Sequence, residues 1–141
     1  MTTREEQKAN RRLWCEALRS GRYAQGTKLL RSEDDEFCCL GVAADIAGVE
    51  WHRGFGKCYY RSDAGFNSTI VLTSDVAEKF GLADVQGSFC QEPGEMSLAI
   101  LNDNGVSFEE IARVIEAEPE GLLVDGEAAP RWGEASDADH S

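Results

Sequence analysis

Apolar positions along the chain fall into a few periodic blocks separated by Gly, Asp and Ser, and the periods assign the elements. Between positions 4 and 20, Ala9, Leu13, Trp14, Ala17 and Leu18 recur at three- and four-residue spacing, one stripe of an amphipathic helix. Gly21 stands where a left-handed C-terminal cap is wanted, and Arg19 and Arg22 suit the negative end of the helix dipole. Residues 27–31 and 36–37 flank the polar turn Ser32-Glu33-Asp34-Asp35, which predicts a short hairpin. The block 37–47 is almost wholly small and apolar and is closed by Gly48. It predicts a buried central helix whose Gly41, Ala43, Ala44 and Ala47 let a neighbour approach closely.

Residues 49–72 read as loop and short strands, with Cys58-Tyr59-Tyr60 and Thr69-Ile70-Val71-Leu72 the β-prone pieces. Thr73 is placed to cap a short helix over 74–80, stopped by Gly81. A second short helix is expected after Pro93, using Met96, Leu98, Ala99, Ile100 and Leu101, with Asn102-Asp103-Asn104-Gly105 closing it. Ser107 and Glu110 have capping-box spacing ahead of Phe108, Ile111, Ala112, Val114 and Ile115, and Pro119 ends that last helix. The fold class is therefore α+β: a helix-dominated single domain with a small antiparallel sheet or hairpin.

Charge changes the picture at both ends. The 141 residues carry a net charge of −12, but residues 1–31 hold 8 basic and 3 acidic side chains, whereas residues 92–141 hold 2 and 13. A basic face that could neutralise phosphates along a duplex is missing, so direct nucleic-acid binding is not expected. The segment 125–141 is rich in Gly, Ala, Asp and Glu, with Pro130 and a lone Trp132. Such composition buries too little apolar area to offset its ordering entropy. A globular body over 1–124 and a flexible acidic tail over 125–141 are expected. No apolar run reaches the roughly 18 residues that span a bilayer, and Met1-Thr2-Thr3-Arg4-Glu5-Glu6 lacks the apolar stretch of a signal peptide. Five cysteines, an odd number with two adjacent, suit reduced thiols in the cytoplasm better than a disulfide framework. With no CxxC and only His52 and His140, neither a metal site nor another cofactor is expected.

Four constellations could carry function. Cys38 and Cys39 open the expected central helix, where the dipole favours thiolate, and His52 is the one internal histidine that could serve as base. Asp45 or Asp63 could orient it. The same two cysteines, with Phe37, Leu40 and Val42 as neighbours, are better suited to being small buried side chains. Trp51, Arg53, Tyr59, Tyr60 and Arg61 combine aromatic planes that stack on a nucleobase with guanidinium groups that hold phosphate, the residues expected to bind a nucleotide-like ligand. Aromatics closing a core beneath a loop would have the same composition, and Gly54, Gly56 and Gly65 match no phosphate-loop spacing. The basic head (Arg4, Lys8, Arg11 and Arg12, then Arg19, Arg22, Lys28 and Arg31) could meet an acidic partner or form a solvated helix face. The acidic half could imitate nucleic acid on a host protein, or serve only solubility.

Three strings then point to a known group: Leu13 to Gly26 (LWCEALRSGRYAQG), Phe37 to Val42 (FCCLGV), and Leu101 to Gly105 (LNDNG), with Leu29-Leu30-Arg31 between the first two. They resemble a group of small proteins encoded by tailed bacteriophages, especially those of actinobacteria, with an ALRSGxYxQ…LR…FCCLGV…LNDxG pattern. Cys15 and Ala44 depart from the residues expected there. The resemblance implies a phage source and assigns no site residue. Small acidic phage proteins of this kind act on the host by binding, and one class sequesters cyclic nucleotide signals of antiphage immunity as an oligomer; this is an analogy of context. The expectation is a non-enzymatic phage accessory protein, at work in the host cytoplasm. It would antagonise host defence by holding a nucleotide-like ligand or by binding a host defence protein, and could be a homo-oligomer. The alternatives are a thiol enzyme using Cys38 or Cys39 with His52, and an acidic protein–protein inhibitor or nucleic-acid mimic.

Overall fold

A computed structural model describes residues 2–54, 56–62, 65, 67–91 and 94–124. The expected acidic tail at 125–141 lies outside them. Helix α1 (Arg4–Arg19) opens the chain. Thr3 is its N-cap: the threonine hydroxyl accepts from the Glu6 amide and the Glu6 carboxylate accepts from the Thr3 amide, a reciprocal box that satisfies two orphan donors. Strand β1 (Ala24–Gln25) pairs in parallel with β2 (Glu36–Phe37). Helix α2 (Cys39–Ile46) runs through the core, with Cys38 as its N-cap. A three-stranded antiparallel sheet follows, β3 (His52–Gly54), β4 (Lys57–Arg61) and β5 (Asn67–Ser68), with β4 in the middle. Then come α3 (Ser74–Lys79), the hairpin β6 (Ser88–Gln91) and β7 (Gly94–Ser97), α4 (Leu98–Asp103) and α5 (Phe108–Ala117). The architecture is α+β with helix dominant and small antiparallel sheets.

One continuous core joins all five helices. Trp14, Leu18, Leu40, Val42, Phe80, Leu98, Ile111 and Ile115 are all buried in it. Helix α1 packs on α5, α2 and α3, and α4 bridges α2 and α5. The apolar block of α2 explains its place: six of its eight residues are buried, so no face is left for solvent. No helix among the described residues is long and apolar enough to cross a membrane.

Five local expectations are corrected. Residues 27–37 do not form a regular hairpin: Lys28 has φ of 72°, which breaks an extended run, and the pairing shrinks to a bridge between Arg31 and Phe37. Residues 69–72 form no strand; the Thr69 carbonyl accepts from Leu30 N and Leu72 N donates to Val85, single bonds that tie a connecting segment to the body. Met96 belongs to β7, and α4 begins only at Leu98, with the Ser97 hydroxyl accepting from Ile100 N. Pro93 lies outside the described residues. Thr73 precedes α3 as expected, but its hydroxyl pairs with that of Tyr60 at 3.0 Å and does not cap the helix. At α5, Ser107 Oγ accepts from Glu110 N, while the Glu110 carboxylate turns to Arg113.

Candidate functional site

Three separate stretches of the chain, around Gln25–Gly26, Cys39 and Asn102, meet inside the protein. Asn102, fully buried on α4, accepts at Oδ1 from Gln25 Nε2 (3.0 Å) and from Cys39 N (3.1 Å), and donates from Nδ2 to the Gly26 carbonyl (2.7 Å). Gln25 also donates to the Val106 carbonyl at 2.7 Å. Cys39 N is one of the unpaired donors at the start of α2, so a side chain 63 residues away closes that helix end. Trp14 Nε1 donates to the Cys39 carbonyl at 3.0 Å. Gly41 is required by contact: a Cβ there would lie 1.7 Å from the Leu30 carbonyl oxygen. Asp45 holds Tyr23 Oη at 2.6 Å and Trp51 Nε1 at 3.0 Å. Gln25, Leu30, Cys39, Gly41 and Asn102 thus build the scaffold.

Cys38 and Cys39 take the buried placement that their apolar neighbours predict, and it overturns the thiolate alternative. Cys38 and Cys39 are buried, and Cys39 Sγ donates to the Leu98 carbonyl at 3.5 Å. Desolvation outweighs the helix terminus here: it pushes the Cys38 thiol up to about 11 and raises that of Cys39 well above its ordinary value. Both are held in the protonated, poorly nucleophilic form at neutral pH. His52 is exposed on β3 and stacks on Tyr59, with ring centroids 5.4 Å apart at 26°. Asp45 is engaged with Tyr23 and Trp51, and Asp63 lies outside the described residues. Among the described residues no group of three or more His, Cys, Asp or Glu side chains is placed to hold a metal ion.

The five aromatic and arginine residues divide between two faces. Strand β4 alternates: Cys58 and Tyr60 point into the core, Tyr59 and Arg61 away from it. Tyr60 is 1% exposed, and its hydroxyl accepts from Thr73 N at 2.8 Å. Trp51 packs edge-on against Phe37 and Tyr60, beneath the Arg31 guanidinium. Arg53 is exposed but directed to the turn before β2, donating to the Glu33 carbonyl and the Asp35 carboxylate at 2.9 and 3.0 Å. Of the set, Tyr59 and Arg61 remain on a common open surface.

That surface is a cleft of about 330 Å³ lined by Glu50, His52, Tyr59 and Arg61. The register of β3 on β4 sets His52 opposite Tyr59. Glu50, two residues before β3, lines the same cleft as Arg61. No ion pair joins those two, and Arg61 Nε instead donates to Asn67 Oδ1 at 3.1 Å. The cleft therefore offers a stacked ring pair, an exposed guanidinium and an unpaired carboxylate. Strict alternation through 57–61 was the sequence signal that could have separated Tyr59 and Arg61 from Tyr60. Glu50 carried no signal, because its place depends on the register.

A larger cleft, about 570 Å³, lies between the start of α1 and residues 118–124. Its three cations, Arg4, Lys8 and Arg11, face three carboxylates, Glu5, Glu118 and Glu120, so it presents no net field. Arg11 is committed besides: its Nη1 donates to the Phe80 carbonyl at 2.8 Å, and burial lowers its pKa. The chemistry for a stacking, anionic ligand is concentrated in the smaller cleft.

The fold and site define a small helix-dominated α+β domain with a buried polar scaffold around Asn102 and an aromatic, charged cleft on a three-stranded sheet. Residues 6–119 match the family described as a domain of unknown function, DUF8296, and the chain belongs to that family. Neither a curated protein sequence nor a solved structure shows significant similarity to it.

Proposed function

We propose that the chain is a binding protein, a phage accessory factor that holds a nucleotide-like signalling ligand in the host cytoplasm and so antagonises host defence. The reading rests on one observation: the stacked His52–Tyr59 pair stands beside the exposed Arg61 in a single cleft. An aromatic face takes up a nucleobase at about 1–3 kcal/mol per stacked base. A guanidinium two residues along the same strand face meets the phosphate with charge-assisted hydrogen bonds. The resemblance of the LRSG, FCCLGV and LND strings to phage proteins supports the biological setting, and the buried thiols favour holding a ligand over transforming it.

Native mass spectrometry of the protein isolated from infected cells tests this. The expected result is a co-purifying mass of nucleotide size, lost in Tyr59→Ala and in Arg61→Ala. Each change should weaken binding about tenfold or more while leaving the melting temperature nearly unchanged, since both side chains lie at the surface. An empty protein that instead captures a host protein through its acidic half would overturn the reading.

A further inference from the structure

Glu50 is out of place in a cleft that serves phosphate alone. It lines the same cleft as Arg61, makes no ion pair among the described residues, and would repel an anion approaching that guanidinium. A carboxylate is a pure acceptor with two oxygens, so it serves a ligand that presents two donors side by side. Among the common nucleobases, guanine does so: its N1–H and exocyclic N2–H point the same way along one edge. Adenine presents one donor beside an acceptor there, and cytosine likewise. We infer that Glu50 is the specificity-determining residue of the cleft and that its ligand is a guanine nucleotide. The base would stack on the His52–Tyr59 pair with its N1–N2 edge on Glu50 and its phosphate on Arg61. This rests on the nucleotide reading of the cleft and adds to it which base is chosen and why.

The arrangement makes a distinctive prediction for Glu50→Gln. A glutamine amide offers one acceptor and one donor, which fits adenine's N6–H and N1, and leaves guanine with two donors against one acceptor. A site built around a donor–acceptor pattern discriminates strongly, because the wrong base leaves polar groups unpaired. Glu50 is exposed and makes no ion pair among the described residues, so the substitution should leave folding intact.

Isothermal titration calorimetry of the full chain with guanosine 5′-monophosphate, adenosine 5′-monophosphate and guanosine tests it. The wild type should bind the guanine nucleotide at least tenfold tighter than the adenine one, and guanosine more weakly than its monophosphate. E50Q should bind the adenine nucleotide at least as tightly as the guanine one. Equal binding of both nucleotides by the wild type, or a guanine preference that survives E50Q, overturns the inference while the nucleotide reading stands. No binding of either nucleotide to the wild type overturns both.

Discussion

A methyl group on Gly41 would sit 1.7 Å from the Leu30 carbonyl oxygen and 2.6 Å from its carbon, inside the backbone itself. No rotamer change relieves that, so Gly41→Ala should cost at least about 3 kcal/mol, beyond ordinary overpacking, or prevent folding. Gly48 gives the contrast. Its φ is 85° with open space around it, so Gly48→Ala should cost only about 1–2 kcal/mol of left-handed strain. Urea denaturation of the two variants checks the difference. Asn102→Ala should cost about 2–4 kcal/mol, because it removes the partner of the buried Cys39 N and of the part-buried Gly26 carbonyl. The sequence shows Asn102 only as part of a polar turn closing a helix. Its partners are 63 and 77 residues away, and no local pattern encodes a distance of that kind. Trp51 and Tyr60 share the aromatic composition of Tyr59, but Tyr60 occupies the opposite side of β4 and Trp51 packs against the core just before β3.

At the scale of elements, α1, α2, α3 and α5 were legible from period, caps and closing glycines, because those signals are local. Of the sheets, only the centre of β4 was legible, from Cys58-Tyr59-Tyr60; the remaining strands, two to four residues long, depend on what lies across from them. Helix α3 shows how much a short element borrows. Its six residues leave carbonyls unpaired at the C-terminal end, and α1 supplies donors at i, i+3 and i+4. Gln7 reaches the Glu78 carbonyl (2.7 Å), Asn10 that of Lys79 (2.8 Å) and Arg11 that of Phe80 (2.8 Å). Asn10→Ala and Gln7→Ala should each cost about 0.5–1.5 kcal/mol. Hydrogen exchange should show the loss at residues 76–82 before it reaches α5; uniform loosening of the whole protein would contradict this capping role.

For the molecule as a whole, four of five cysteines are buried and Cys90 is exposed. One thiol should therefore react quickly with a disulfide reagent at neutral pH, and five in denaturant. Burial also sets an alkaline limit. The Cys38 and Cys15 thiols are pushed from an ordinary value of 9.0 to about 11, so the folded state holds their protons more tightly than the unfolded chain does. Their contribution is full below pH 9 and is lost as pH rises from about 9 to 11. For Cys38, almost wholly buried, that loss is on the order of 2 kcal/mol, and Cys38→Ala should flatten the alkaline limb of the stability curve.

Under the proposed function, a nucleotide occupies the cleft of Glu50, His52, Tyr59 and Arg61. Backbone amide NMR of the full chain, titrated with guanosine 5′-monophosphate, locates it directly. The predicted result is saturable shift changes centred on Glu50, His52, Tyr59 and Arg61. Changes confined to α1 and residues 118–124, or no saturable change at all, would contradict it.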